Sequence, residues 1–327
     1  MEQSISRSSH RPALRAGGRA LTLLVGPLNI EILRRLEPGP RSTQSLRREL
    51  GVPPQSTLRL HLRALAELGA VDNHPHDGQP TSADHEISRA GRGLLHLAEH
   101  VEAWLRVAPG GPKELGSTGA RSSIKALVDG WSSHIVRALA ARPLSLTELN
   151  SLIPRISYPS LERRLTAMRE CGLVEVQPDA GRLRPYKVTR WLRQGVGPVT
   201  AAMAWERTYA PAQTARVRRL DAESAFLLAI PLLDLPTGLN GRCRLAVEVH
   251  DGTSPLFAGA LVTIERGTVT SCVASLEGQA EAWASGRPLS WLRLIDRPGD
   301  GELELGGDRV LARSVVEALQ RAAREPN

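Results

Sequence analysis

The sequence predicts an α+β chain in which two similar helical units, each closed by a β-hairpin, precede a separate domain of strands and helices. Three observations predict it. A pattern of apolar, capping and stop residues occurs twice without a gap, 103 positions apart. Charge divides the chain: residues 1–210 hold 29 Arg or Lys against 19 Asp or Glu, a net of +10, whereas residues 211–327 hold 13 against 15, a net of −2. Past residue 210, apolar residues alternate in short runs, as in strands packed on one face.

The second unit is the clearest. Trp131, Ile135, Val136 and Leu139 recur at helical spacing, and Pro143 ends that helix. Ser145-Leu146-Thr147-Glu148 has the spacing of a capping box and opens a short helix carrying Leu149 and Leu152, broken by Pro154. Ser157 is placed to cap a third helix whose inward face is Leu161, Leu165 and Met168, and Gly172 stands where a left-handed helix stop is expected. The run 173–176 alternates like a strand, 179–181 is a turn, and 182–189 returns as a second strand. Three helices followed by a hairpin describe a winged helix-turn-helix.

Gly130-Trp131, Pro143, Leu146-Thr147-Glu148-Leu149, Ile156-Ser157, Leu161-Glu162-Arg163-Arg164-Leu165, Gly172-Leu173-Val174 and Tyr186-Lys187-Val188-Thr189 together resemble the HxlR-type winged-helix regulators, over about a quarter of the chain. The resemblance implies a DNA-binding regulator. Many members carry a cysteine ahead of the Gly-Trp pair; none stands here, so thiol-based sensing is not expected.

Shifted by 103, Ile32 falls on Ile135, Leu36 on Leu139, Pro40 on Pro143, Ser42 on Ser145, Leu46 on Leu149, Leu58 on Leu161, Leu62 on Leu165, Gly69 on Gly172 and Val71 on Val174. The expected organisation is a disordered basic arm at 1–20, a winged helix at 21–108 ending in a long helix over 91–107, a linker at 109–120, a second winged helix at 121–209 ending in a helix over 190–209, and a last domain at 210–327.

In that last domain, 212–220 reads as a helical lead-in, and 243–249, 256–264 and 268–274 read as strands. Residues 278–285 and 288–295 read as short helices, 301–308 as a strand and tight turn, and 309–323 as a closing helix. The hairpin Arg266-Gly267-Thr268-Val269 and the Gly301…Gly307-Asp308 ending before an amphipathic helix resemble the sterol-carrier-protein-like fold, over about a third of the chain. That resemblance implies an apolar cavity for a lipid-like ligand, for which Phe226, Leu228, Leu245, Val247, Phe257, Trp283 and Trp291 are the candidate lining.

Composition narrows the function. No apolar run reaches the ~20 residues of a membrane span, and the basic N-terminus lacks the apolar stretch of a secretion signal, so a cytoplasmic setting is expected. Cys171, Cys243 and Cys272 are too widely spaced for a disulfide framework or a zinc site. His96-Leu97-Ala98-Glu99-His100 spells a zinc-protease string, but it lies within a winged-helix unit with no distal carboxylate ligand in view, and solvated helix residues explain it better. No catalytic triad order, phosphate loop or dinucleotide-binding glycine pattern stands out, so neither an enzyme nor a cofactor is expected.

Recognition helices meet the major groove with their N-terminal residues and outward face. The candidates are Gln55, Ser56, Thr57, Arg59 and Arg63 in the first unit, and Ser157, Tyr158, Ser160, Arg163 and Arg164 in the second, with Arg164 the one most suited to an internal ion pair. His74 and His76, and Arg182 and Arg184, are the wing candidates. The reading is a transcription regulator that holds an imperfect inverted repeat of double-stranded DNA, as a monomeric pseudo-dimer or a homodimer, and senses a hydrophobic small molecule. The alternative is a hydrophobic-ligand carrier or sequestering resistance protein with vestigial DNA binding.

Overall fold

A computed structural model of the protein describes residues 16–76, 79–153, 155–177, 184–210, 217–251, 254–296 and 302–324. The basic arm up to residue 15, Pro154, the wing turns at 77–78 and 179–181 with Arg182, and the lead-in at 212–216 lie outside the described residues.

The first unit runs α1 (Gly18–Leu24), α2 (Pro27–Leu36), β1 (Arg41–Ser42), α3 (Thr43–Glu49), α4 (Gln55–Glu67), β2 (Val71–His76), β3 (Gln79–Ile87) and α5 (Arg89–Arg106). β3 lies between β1 and β2, antiparallel to both. Leu33, Leu36, Leu46, Leu58 and Leu65 are fully buried between the helices, as their spacing dictates. Residues 18–20, assigned from sequence to the arm, instead open α1.

The second unit runs α6 (Thr118–Val128), α7 (Ser132–Ala141), α8 (Leu146–Leu152), α9 (Tyr158–Glu170), β4 (Val174–Val176), β5 (Tyr186–Val188), α10 (Arg190–Gln194) and α11 (Val196–Tyr209). The predicted helix over 190–209 is two helices parted at Gly195, and α6 starts inside the stretch read as linker. Leu144 bridges Tyr186 ahead of α8, as Arg41 bridges His85 ahead of α3.

α11 joins the parts. It packs on α1 and α5 of the first unit. Its Glu206, 2% exposed, accepts from the backbone N–H groups of Gly17 (2.9 Å), Arg19 (2.8 Å) and Ala20 (3.0 Å). A carboxylate supplied 186 residues away thus satisfies donors that the first turn of α1 leaves without helical partners. Trp104 of α5 and Trp191 of α10 stack with centroids 4.4 Å apart, and each indole N–H donates to the other residue's carbonyl at 2.9 Å. Lys113, from the segment between the units, sits 4.5 Å over the Trp191 ring and donates to the Cys171 carbonyl at 3.0 Å.

The last part runs α12 (Arg219–Ala229), β6 (Gly241–Asp251), β7 (Ser254–Glu265), β8 (Thr268–Val273), β9 (Ala282–Gly286), α13 (Pro288–Asp296), β10 (Glu304–Gly307) and α14 (Arg309–Arg324). Its five strands lie in the order β10-β9-β6-β7-β8, with β6 and β9 parallel and the other neighbours antiparallel. Cys243, Leu245, Val247 and Val249 alternate onto the buried face, and α12, α13 and α14 pack on β6. Residues 278–285, expected to be a helix, contribute β9 instead: Ala282 and Ala284 are fully buried in ladder positions opposite Cys243 and Leu245.

The C-terminal part docks through α12 on α7. Arg137 of α7 and Arg219 of α12 both hold the buried Glu223, the latter at 2.6 Å. The Ser224 hydroxyl donates to the Ser133 carbonyl at 3.1 Å. The Arg193 guanidinium donates to the Leu227 carbonyl at 2.8 Å and the Ala140 carbonyl at 3.4 Å, and burial pushes its pKa down. α14 approaches α11 so closely that a Cβ at Gly197 would stand 2.4 Å from the Ala323 carbonyl oxygen. The buried apolar residues of all three parts form one continuous core.

Candidate nucleic-acid interface and apolar cavity

Ahead of α9 the chain is set by α8. The Ser145 hydroxyl accepts from the Glu148 N–H, and the Glu148 carboxylate accepts from the Ser145 N–H at 2.7 Å, a complete capping box. That backbone N–H, with the Ser145 hydroxyl and Arg142, holds the Glu148 carboxyl at about 2. Ser157 does occupy the N-cap of α9, but its side chain makes no capping bond. Gly172 closes the helix at φ 84°, a conformation that costs a Cβ-bearing residue energy.

α4 and α9 each turn one face outward. Gln55, Ser56, Arg59 and Arg63 are exposed on α4, with Thr57 half-buried; Tyr158, Glu162 and Arg163 are exposed on α9, with Ser157 just ahead of it. Neither helix has an acid in its first turn, so the positive end of each helix dipole is left uncompensated. Among the described residues no ion pair engages Arg59, Arg63 or Arg163. Arg164 differs: it donates to Asp129 at 3.2 Å and 3.5 Å and to the Ser160 carbonyl at 3.2 Å. Ser160 and Arg164 are therefore committed to holding α9 against the end of α6 and leave the candidate DNA surface.

Two residues join it that the sequence reading passed over. Leu60 is 63% exposed between Arg59 and Arg63, and Arg155 is exposed just before α9 at φ 68°. Leu60 falls off the Leu58, Leu62, Leu65 stripe, and that is the signal that marks it as outward. The two helices present different chemistry at equivalent positions: Arg59-Leu60 in the first, Glu162-Arg163 in the second.

The first wing is tied to its helices by His85. One ring nitrogen lies 2.8 Å from the Thr43 hydroxyl on α3, the other 2.7 Å from the Asn73 side-chain oxygen on β2. Burial lowers the His85 pKa, against the upward pull of Asp84. His74 lies 3.5 Å from Glu86 across the hairpin. The His76 side chain lies outside the described residues; Arg184 is exposed ahead of β5.

The C-terminal part encloses a cavity of about 60 Å³ against α11, with Phe226, Val247 and Trp291 among its walls and Met203 contributed by α11. Phe226 and Trp291 meet edge to face at 5.2 Å, and the Trp291 indole N–H is spent on the Ala246 carbonyl at 2.9 Å. The other candidates do not line it. Leu228 and Leu245 are packed into the core, and Phe257 (56% exposed) and Trp283 (37% exposed) are on the opposite face of the sheet. Parity explains this: Phe257 pairs with Glu248 and Trp283 with Arg244, positions alternate to the inward Leu245 and Val247.

Cys243 and Cys272 both register with Val262 from opposite sides, so a whole strand separates them; burial pushes each thiol up to about 12. His96 and His100 approach to 3.3 Å on the exposed face of α5, and among the described residues no three His, Cys, Asp or Glu converge as a metal site. No helix among the described residues is long and apolar enough to cross a membrane.

Residues 26–74, the span from α2 into β2, match a family model described as a helix-turn-helix domain. The chain is 37% identical over 101 residues to a protein of Mycobacterium tuberculosis and 36% identical over 101 residues to one of Mycobacterium bovis, each named an uncharacterized HTH-type transcriptional regulator. The matched stretch covers 31% of this chain and spans 63% of the length of each relative.

Proposed function

We propose that the protein is a sequence-specific DNA-binding transcriptional regulator of the cytoplasm, built from two winged helix-turn-helix units in tandem, the second of HxlR type. The observation that carries this reading is that α4 and α9, in two units of like element order within one core, each present arginines that no acid among the described residues neutralises. Arg59, Arg63 and Arg163 are free to meet phosphates or guanine edges, and Leu60 is suited to a thymine methyl group. One chain carries both halves of an inverted repeat. The departure of Glu162 from Arg59 makes that repeat imperfect, because a carboxylate accepts from cytosine where an arginine donates to guanine.

The sterol-carrier-like part is proposed to sense a hydrophobic small molecule. A cavity of about 60 Å³ is smaller than the ~300 Å³ or more typical of ligand sites. Entry of a lipid-sized ligand therefore requires α13 to part from α11, and that movement would reach the DNA-binding units through α11. The same size weighs against a carrier role.

The test is a titration of the full chain against the DNA upstream of its own gene, with excess random duplex, over a range of salt. Sequence preference, one chain per site, and a log–log salt slope of roughly −0.9 for each neutralised phosphate are expected. Equal affinity for random DNA would end the regulator reading. A site occupied only by two chains would end the pseudo-dimer.

A further inference from the structure

A cleft of about 730 Å³ opens where the three parts of the chain meet, and neither the DNA surface nor the apolar cavity accounts for it. Arg89 and Arg92 come to it from α5, Trp205 and Tyr209 from α11, and Arg293 from α13. The three arginines are exposed, and among the described residues no side-chain hydrogen bond or ion pair engages any of them. Among the described residues no carboxylate lines the cleft; His96 on its wall is 3.2 Å from Glu99 of its own helix. The floor is aromatic and fixed. Trp205 is 4% exposed, its indole N–H donates to the Ala90 carbonyl at 2.8 Å, and Tyr209 lies beside it with ring centroids 5.7 Å apart.

Three guanidinium groups around a concave aromatic floor, with no counter-ion among the described residues, repel one another when the cleft is empty. An anion relieves that repulsion. Guanidinium forks match carboxylate, sulfonate or phosphate oxygens, and a flat ring gains contact with the half-buried Tyr209 phenol. The volume lies in the range of small-molecule sites. We infer that this cleft is a binding site for a small organic anion with a flat aromatic body, its charge held by Arg89, Arg92 and Arg293 and its ring laid against Tyr209, which the buried Trp205 backs. A ligand gripping α5 and α13 at once bears on the contacts that α11 makes with each of them, so it acts on the junction between the DNA-binding units and the C-terminal part. DNA phosphate is the competing occupant. The enclosed aromatic floor, and an arginine supplied by the part of the chain with net negative charge, favour the small anion.

The experiment is calorimetric titration of the full chain with naphthoate and with the uncharged naphthalenemethanol, an arm free of DNA that stands apart from the regulator reading; a second arm titrates the Arg92→Ala/Arg293→Ala variant with random duplex DNA. One saturable naphthoate site is expected, with on the order of tenfold weaker binding of the alcohol and a loss on the order of tenfold or more in the Arg92→Ala/Arg293→Ala variant. Circular dichroism melts of that variant should match the parent, since both side chains are exposed and have no partner among the described residues. Absence of saturable naphthoate binding, equal affinity for the alcohol, or unchanged affinity in the variant would overturn the proposal. So would a variant that keeps naphthoate binding but loses affinity for random duplex DNA, which would make the cleft a phosphate-contact surface.

Discussion

Arg163 and Arg164 are neighbours with opposite roles. Arg163 is exposed and has no partner among the described residues, whereas Arg164 is anchored to Asp129 and Ser160. Arg163→Ala is expected to leave stability within about 0.5 kcal/mol of the parent and to weaken DNA binding by about 1–3 kcal/mol. Arg164→Ala is expected to cost about 1–2 kcal/mol in chemical denaturation, because it leaves Asp129, a partly buried carboxylate, with only the Trp131 N–H as a partner among the described residues. Equal effects of the two on stability would contradict this division. Helical periodicity told the two apart, since Arg164 lies beside the inward Leu165; it did not name Asp129, a partner 35 residues away that only the packing of α6 on α9 supplies. His85 carries a pH dependence of its own. Its folded-state pKa lies below the ordinary 6.5 because burial disfavours the charged ring, so the unfolded chain takes up the proton first on acidification. Stability from this group is complete above pH 6.5 and is lost as the pH falls through the lowered value. Melting temperature across this window should therefore fall on acidification in the parent and fall less in His85→Gln.

At the scale of elements, local chemistry was sufficient where the signal and its partner are close in sequence. The Ser145–Glu148 box spans four residues and forms as its spacing requires. Ser145→Ala should cost about 1 kcal/mol of unfolding free energy and shift α8, and with it the approach to α9; an unchanged urea midpoint would contradict it. Local chemistry misled at β9. Residues 278–285 contain Gln279, Ala280, Glu281 and Ala282, good helix formers, yet Ala282–Gly286 fills a slot between β6 and β10 that takes small side chains. A central strand position is decided by its neighbours across the sheet rather than by propensity. The same limit displaced Phe257 and Trp283 from the expected cavity, because the facing of a strand depends on register, and one residue's slip inverts it.

The whole molecule is organised by α11, which packs on α1, α5, α13 and α14. Glu206→Ala is expected to destabilise by about 3 kcal/mol, since three backbone N–H groups at the start of α1 lose their acceptor in a buried place. Glu206→Gln, which keeps one acceptor and most of the packing, should fall between the two. A cost below about 0.5 kcal/mol would mean that water substitutes for the carboxylate. The front-loaded charge, net +10 over residues 1–210, was legible from composition; that the neutral part shares a core with the basic part was not, because Glu206, Trp191 and Arg193 find their partners far along the chain. The Glu206 clasp also orders events during synthesis. Chains emerge from the ribosome N-terminus first, and α1 waits for an acceptor that arrives 186 residues after Ala20. The α4 helix can thus form early on the ribosome, but its unit is not locked until α11 has been made.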